Sequence, residues 1–334
     1  MKFQRTLIAL LAALCLLAAA CGDDDSGDDN SAEATTTASA QADETTSSEA
    51  VDTSEKEAAF PLTLSTDDGE ITIESRPERI VSLSPTATEM LFAVGAGDQV
   101  VAVDDFSYYP DEAPVQEGLS GFNTNIEAVA GFEPDLIVVQ APIEGMDVLD
   151  VPVLVQFAPP DLAGSYSQIE QIGAATGNVG GAAEVVANMT TEIATIVADV
   201  DPSAETRTYF HEVGTEYYAA TSQTFAGEIY AMFGLENIAD AADPDGMFGG
   251  YPEMSEEAIV ASNPDFIFLA DTIGYAQSAE TVAQRPGWDQ ITAVKDGNIV
   301  ELNDDIASRW GPRVVELVAA IAEGVKIADS VEAG

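Results

Sequence analysis

The sequence predicts an α/β protein of two similar lobes bridged by one long helix. A helix–Pro-Asp–strand unit, NIEAVAGFEPDLIVVQ at residues 125–140, returns as SEEAIVASNPDFIFLA at residues 255–270. Both copies end in a continuous apolar run, which is typical of a parallel strand buried on both faces. The length of 334 residues leaves room for two such lobes. A chance occurrence of two Pro-Asp turns is the alternative.

Residues 1–20 are predicted to be a signal peptide. Two positive charges precede a run of apolar and small residues, and this run is too short to span a membrane comfortably. The small residues before Cys21 resemble the lipobox of bacterial lipoproteins. This resemblance implies that Cys21 is lipidated and anchors an exported protein to the outer face of the cell membrane. Ordinary cleavage after the small residues is the alternative.

Residues 21–59 are predicted to be an acidic, disordered tether, because they are mostly Asp, Ser, Thr, Ala and Glu and cannot form a core. Beyond the tether, residues 60–334 hold 47 acidic and 8 basic side chains, a net charge near −39. Such a surface repels phosphate groups, so nucleic acid is excluded as a partner. Only Cys21 remains after removal of the signal, so the mature chain cannot form an internal disulfide.

The first lobe is predicted to occupy residues 60–178. It opens with short strands around the Asp68-Gly69 turn, which is a strong turn signal. Apolar periodicity assigns the elements that follow. They are strands at 80–83, 100–103, 136–139 and 151–155, and helices at 86–94 and 168–176 besides the helix of the repeat.

The bridging helix is predicted within residues 179–201. Apolar residues recur there at intervals of three and four, and Asp201-Pro202 ends the pattern. The second lobe is predicted to occupy residues 202–334. Its expected elements, besides the second copy of the repeat, are strands at 208–213, 217–220 and 299–302 and helices at 225–233 and 312–325.

Enzyme chemistry is not predicted. His211 is the only histidine, and it lies in the predicted buried strand TYFHEV. A zinc or manganese site would need several histidines, a histidine in a buried strand is poorly placed to act as the base of a catalytic triad, and no free thiol remains for nucleophilic catalysis. No phosphate-binding glycine motif follows a strand. We therefore expect neither a catalytic residue nor a resident metal or cofactor.

Four segments carry a resemblance to a known family. In chain order they are RIVSLSPTATEMLFAVGAGDQVVAVDDFSYYP, NIEAVAGFEPDLIVVQ, YPEMSEEAIVASNPDFIFLA and SRWGPRVVELVAAI. Over about residues 75–325 the chain resembles the periplasmic binding proteins of the vitamin B12 and ferric-siderophore class. The first segment is most similar to the B12-binding branch. The resemblance implies a monomer with a ligand cleft between the lobes, which delivers a cobalt or iron chelate to an ABC permease and its ATPase.

Two glutamates match the family's permease-docking positions. Glu127 and Glu257 occupy the same place in the two copies of the repeat. Each stands in the first turn of its predicted helix, where the helix dipole favours an anion. The resemblance implies that they pair with permease arginines. The alternative is that a glutamate in a first turn is ordinary helix chemistry.

Aromatic residues form the candidate ligand site. Phe106, Phe122 and Tyr251 match positions where the B12 binders place aromatic rings against the ligand, and packing within turns is the alternative for each. A wider predicted rim adds Tyr108, Tyr109, Tyr217, Tyr218 and Trp310, whereas Trp288 is predicted to lie in the core.

Asp305 and Arg309 match polar ligand-binding positions of the second lobe. Arg309 is one of very few bases in the globular part, so it is expected either to bind ligand amides or a carboxylate or to hold Asp305 in a structural pair. The family pattern departs at Gly311-Pro312 and at Asp304-Asp305, where this chain is more acidic.

The favoured ligand is a corrinoid such as cobalamin. A strongly acidic domain is poorly suited to a highly anionic ferric complex, whereas cobalamin is close to neutral. A ferric siderophore and haem are the alternatives within the same class of protein. An anchored sensor or interaction module that does not transport is the alternative from another class.

Overall fold

Two four-stranded parallel sheets, one on each side of a long helix in the chain, form the framework of the protein. The computed structural model describes residues 59–66, 68–201 and 206–332, with side chains as far as Asp329. The predicted signal peptide, Cys21 and nearly all of the predicted tether lie outside these residues. The described part opens with an antiparallel hairpin of β1 (Leu62–Thr66) and β2 (Gly69–Ile73), as the Asp68-Gly69 turn predicts.

The first sheet has the strand order β4-β3-β5-β6, and all of its pairs are parallel. The predicted bounds of β3, β4 and β5 are confirmed. The strands are β3 (Ile80–Leu83), β4 (Val100–Val103), β5 (Leu136–Val139) and β6 (Val153–Val155), and the helices are α1 (Pro85–Ala93), α2 (Ile126–Ala130) and α3 (Leu162–Thr176). Helix α3 begins six residues earlier than predicted, because the Asp161 carboxylate accepts the amide of Gly164 at 2.8 Å and caps it.

The second sheet repeats this topology. Its order, β8-β7-β9-β10, places each strand where its counterpart lies in the first sheet. The strands are β7 (Arg207–Glu212), β8 (Leu235–Asn237), β9 (Phe266–Leu269) and β10 (Ile299–Glu301). The helices are α5 (Phe225–Ala231), α6 (Glu256–Ser262), α7 (Ala279–Ala283), α8 (Thr292–Asp296), α9 (Asp304–Ser308) and α10 (Val314–Glu332).

The second lobe differs from the sequence prediction at two places, one predicted strand that is wrong and one strand that was not predicted. The expected strand at 217–220 is reduced to isolated bridges from Tyr218 and Ala219, because this segment pairs only at single residues. Strand β8 was not expected, since three residues directly after Gly234 give no readable alternation of apolar and polar side chains.

The aspartate of the repeated Pro-Asp step makes an equivalent backbone contact in both lobes. The carboxylate of Asp135 accepts the amide of Arg79 at 2.9 Å, immediately before β3, and that of Asp265 accepts the amide of Thr208 at 2.8 Å in β7. Each aspartate therefore fastens one central strand to the start of its neighbour. The residues two positions earlier, Glu133 and Asn263, both have a left-handed backbone, with φ of 49° and 48°.

The long helix α4 (Val179–Ala198) joins the two sheets in the chain. It buries Ala182, Met189 and Ile193 and packs against α3 and α10. Gly181 allows its close approach to α1, since a Cβ there would overlap the carbonyl oxygen of Val94. In the described part of the chain, no helix is both long and apolar enough to cross a membrane.

One apolar core extends from the first sheet to the second. It includes Leu136 and Val138 of β5, Tyr209 of β7 and Phe268 of β9, with the buried faces of α3, α4 and α10 between them. Close-packed interiors resist rearrangement. Movement of one sheet against the other therefore requires repacking of buried side chains.

Candidate functional site

Exposed aromatic and apolar side chains collect on the loops that follow the carboxyl ends of the strands. Ligands of open α/β sheets bind at this edge. The two richest loops are equivalent in the two lobes, since one leads from β4 to α2 and the other from β8 to α6. The exposed side chains include Phe106, Tyr108, Tyr109 and Phe122 in the first loop, Met247, Phe248 and Tyr251 in the second, and Phe157, Ile273 and Tyr275 elsewhere.

Phe106 and Phe122 form an aromatic pair in the first lobe. Their ring centroids are 5.9 Å apart and their planes are nearly perpendicular, at 86°. Phe106 is 50% exposed and Phe122 is 85% exposed. Large rings that remain this accessible to water gain from being covered by an apolar ligand face. The structure therefore brings together two of the three predicted ligand-binding aromatics.

A buried aspartate holds this pair in place. The carboxylate of Asp104 accepts the hydroxyl of Ser107 at 2.6 Å and the amide of Gly121 at 3.3 Å, and so fixes the neighbours of both aromatic rings. Burial raises the pKa of Asp104, although these hydrogen bonds oppose the change. A side chain at Gly121 would collide with the carbonyl oxygen of Leu83, which requires glycine there.

The loop of the second lobe is held in the same way. Asp243 is buried, and its carboxylate accepts the amides of Phe248 at 3.0 Å and Gly250 at 2.9 Å. The loop presents Tyr251, which is 51% exposed, and Met247, which is 83% exposed. Sequence reasoning missed Met247 and Phe248. The glycines that flank them in DGMFGG were the available signal, since they mark a tight, exposed turn.

An ion-pair network connects the lobes beside the aromatic loops. Arg309 donates to Glu89 of α1 at 2.7 Å, to Asp305 at 2.8 Å and to the carbonyl of Phe106 at 3.2 Å. Arg313 donates to the same glutamate at 2.6 Å and 3.0 Å. The side chains of Glu89 and Arg309 are only 2% and 8% exposed. The pairs are therefore largely desolvated, and breaking one side is costly.

Tyrosines extend this network towards solvent. The hydroxyl of Tyr108 donates to Asp305, and its ring lies 5.5 Å from the guanidinium of Arg309. Partial burial, together with the neighbouring carboxylate, raises the pKa of Tyr108. Arg313 lies 4.0 Å from the ring centre of Tyr109, within the range of a cation–π contact.

Asp305 and Arg309 thus form the structural pair that was one of the two sequence-based alternatives. Both lie against the loop of Phe106, so the structure brings the predicted polar and aromatic residues together. A ligand contact by either residue stays a prediction.

Three of the aromatic residues that the sequence singles out lie in the core or pack against it. Trp288 is fully buried, which confirms its assignment to the core. Tyr217 packs against it at 5.7 Å between ring centres, and so belongs to the core of the second lobe more than to the rim. Trp310 is buried, and its indole NH donates to Gln168 at 2.7 Å.

Every basic side chain of the described residues donates a hydrogen bond or forms an ion pair within the protein. Arg285 shows the pattern, since it makes two contacts of 2.6 Å with the buried Glu212. None of these cations faces the aromatic loops without a partner. The others are Arg76, Arg79, Arg207, Lys295, Arg309, Arg313 and Lys326.

Asp271, which follows β9 in the chain, has a strongly raised pKa. Burial and the negative charge of Glu212 raise its pKa to about 7. Its oxygens contact no described donor. Burial and the repulsion by Glu212 both disfavour the charged form of Asp271.

The residues around His211 do not form a catalytic or metal-binding site. Burial lowers its pKa to about 4, and its Nδ1 lies 2.7 Å from the hydroxyl of Tyr230. This confirms the prediction of a core histidine. No group of three metal-ligating side chains occurs among the residues that the structure describes.

Glu127 and Glu257 are exposed in the first turns of α2 and α6, at the same edge of the sheets as the aromatic loops. Asn125 and Ser255 cap these helices through their side chains. The neighbouring Glu256 instead accepts the indole NH of Trp288 at 3.2 Å. The two predicted docking glutamates therefore keep their carboxylates towards solvent.

Comparison with known proteins gives consistent relatives. The sequence pattern of the periplasmic binding protein family matches residues 80–306. The chain is 31% identical over 284 residues to the uncharacterised ABC transporter substrate-binding lipoprotein YvrC of Bacillus subtilis, covering 81% of this chain and 87% of that one. It is 33% identical over 283 residues to a cobalamin-binding protein of Halobacterium salinarum, covering 80% and 75%. A possible iron-binding periplasmic solute-binding protein of Staphylococcus epidermidis has a similar structure, with a TM-score of 0.66 and 25% identity over 75% of this chain and 99% of that one.

Proposed function

Since the chain belongs to the periplasmic binding protein family, we propose that it captures a corrinoid between its lobes and delivers it to an ABC importer. The family consists of solute-binding proteins and not of enzymes. The proposal therefore concerns the ligand, the anchor and the docking surface.

The choice of ligand rests on one observation. Every cation of the described residues already has a partner within the protein. Haem presents two carboxylates and catecholate siderophores are highly anionic, so both need an unpaired cation or a strong donor in the site. Here Arg309 is occupied by Glu89 and Asp305. Cobalamin is close to neutral and presents broad apolar faces, which suit the exposed rings of Phe106, Phe122 and Tyr251.

The relatives support the class of ligand. One of them is named as a cobalamin-binding protein, and a similar structure is named as possibly iron-binding. The lack of an unpaired cation among the described residues favours the corrinoid. An uncharged ferric hydroxamate remains the closest competitor, because it also needs no free cation.

The anchor and the docking surface complete the proposal. Lipidation of Cys21 is supported by the sequence that precedes it and by a relative that is named as a lipoprotein. An anchored protein remains near the permease at high effective concentration. Glu127 and Glu257 are proposed to pair with permease arginines, and their exposure in matching first turns supports this role.

Calorimetric titration of the purified full chain tests the ligand. Cyanocobalamin, a ferric hydroxamate and haemin are titrated in parallel at the same salt concentration. We expect saturation by cyanocobalamin at submicromolar concentration. Binding of haemin or of the hydroxamate in its place would discard the corrinoid and keep the transport role. The absence of binding by all three would favour the sensor or interaction module.

A further inference from the structure

A separate cavity of about 310 Å³ opens beside Tyr251. The first lobe contributes the Pro159-Pro160 step to its wall, and the second contributes Phe225, Tyr251 and Trp310. The cavity therefore lies between the lobes, adjacent to one of the predicted ligand-binding aromatics.

The lining carries no formal charge. It contains no Asp, Glu, Lys, Arg or His, although residues 60–334 include 47 acidic side chains. Its only titratable side chain is Tyr251, and burial raises the pKa of this phenol, which keeps it neutral at physiological pH. A charged group would lose its hydration in this cavity without gaining a partner.

Hydrogen bonds between the lobes hold the walls in place. Trp310 donates its indole NH to Gln168 of α3 at 2.7 Å, and its carbonyl accepts the hydroxyl of Ser165. Glu228 of α5 accepts the amide of Leu162 at 2.6 Å and fastens the start of α3 to the second lobe. Because the walls are formed before a ligand arrives, little ordering is needed on binding.

The size and lining of the cavity limit which chemical groups it can bind. Its volume is equivalent to roughly ten water molecules, so it is too small for an entire macrocyclic chelate and large enough for one ring system. Phe225, Tyr251 and Trp310 provide aromatic parts of the wall, and the two prolines provide a rigid part. Aromatic side chains pack favourably against flat, uncharged rings.

We infer that this cavity binds an uncharged aromatic ring carried on an arm of the ligand, and that it selects chelates that have such a ring. The inference rests on the corrinoid function proposed above. In that class the ring is the base of the nucleotide arm. The cavity would then distinguish complete cobalamins from corrinoids that lack the nucleotide.

The test compares cyanocobalamin with dicyanocobinamide, a corrinoid without the nucleotide arm, by calorimetry on the full chain. The wild type is expected to bind cyanocobalamin at least about ten-fold more tightly, equivalent to about 1.4 kcal/mol. Two variants add volume at exposed lining positions, Ala158→Leu in the first lobe and Ser308→Leu in the second. Each is expected to weaken cyanocobalamin binding and leave dicyanocobinamide binding unchanged.

The matched control is Ala194→Leu at an exposed position of α4, which should leave both affinities as in the wild type. A preference for cyanocobalamin that survives both filling substitutions would overturn the inference, as would equal wild-type affinity for the two corrinoids. Neither of these results would affect the proposed function. Failure of the wild type to bind either corrinoid would overturn the proposed function, and the inference with it.

Discussion

A substitution at Glu89 tests the ion-pair network between the lobes most directly. Its carboxylate is the shared acceptor of Arg309 and Arg313, with contacts of 2.6 to 3.0 Å, and it is almost fully buried. The substitution Glu89→Gln keeps the shape and removes the charge. Both guanidinium groups then lose a desolvated partner, and the new amide NH₂ opposes a donor.

The expected loss of unfolding free energy is about 3–5 kcal/mol, the cost of removing one partner of a buried pair. For a folded unit of roughly 270 residues, with an unfolding entropy of about 2.1 cal/mol/K per residue, this loss lowers Tm by about 5–9 °C. Differential scanning calorimetry and urea unfolding measure the two quantities on the same preparation.

The control for this substitution is Glu192→Gln. Glu192 is exposed on α4 and loses the same charge without a buried partner, so it should melt close to the wild type. Equal Tm values for the two variants would refute the reasoning, since they would show that the Glu89 network contributes no more than a surface charge. A second consequence is that Arg309 gains unbalanced positive charge, so haemin should bind the Glu89→Gln variant more tightly than it binds the wild type.

Three further predictions concern the ligand, docking and pH. Phe122→Ala should weaken cyanocobalamin binding about ten-fold in calorimetry and leave Tm unchanged because the ring is exposed; unchanged affinity would remove it from the site. Reversing Glu127 and Glu257 together to Lys should abolish cellular uptake of labelled cobalamin while affinity in solution stays intact, and surviving uptake would remove the docking assignment. The raised pKa of Asp271, about 7, means that the folded state binds its proton more strongly than the unfolded state, so wild-type stability falls as pH rises from about 4 to 7. Asp271→Asn should flatten this fall and melt higher than the wild type at pH 8, and a parallel pH profile would contradict the assignment.

Much of the sheet framework is predictable, because its signals are local. The apolar runs of β5 and β9 are continuous and begin directly after Pro-Asp, and β3 ends at the Ser84-Pro85 turn, so the bounds of these strands follow from the sequence. Strand β8 is too short to show a pattern. The early start of α3 depends on a side-chain cap at Asp161, which apolar periodicity does not indicate.

The candidate site is less predictable, because its contacts join residues far apart in the chain. The resemblance placed Phe106, Phe122, Tyr251, Asp305 and Arg309 in one site. It did not indicate Glu89, which pairs with a residue 220 positions away. It also did not indicate Asp104 and Asp243, whose buried carboxylates shape the aromatic loops through backbone amides. A sequence shows that a residue is acidic, whereas only the fold shows which donors its carboxylate accepts.

Amide hydrogen exchange with and without cyanocobalamin tests the central claim most directly, because it shows whether a corrinoid contacts both lobes. Protection is expected in the loop from β4 to α2, around Phe106 and Phe122, and equally in the loop from β8 to α6, around Met247 and Tyr251. The docking helices α2 and α6 should exchange as in the free protein. Protection confined to one lobe, or absent from both loops at saturating cyanocobalamin, would contradict capture of a corrinoid between the lobes.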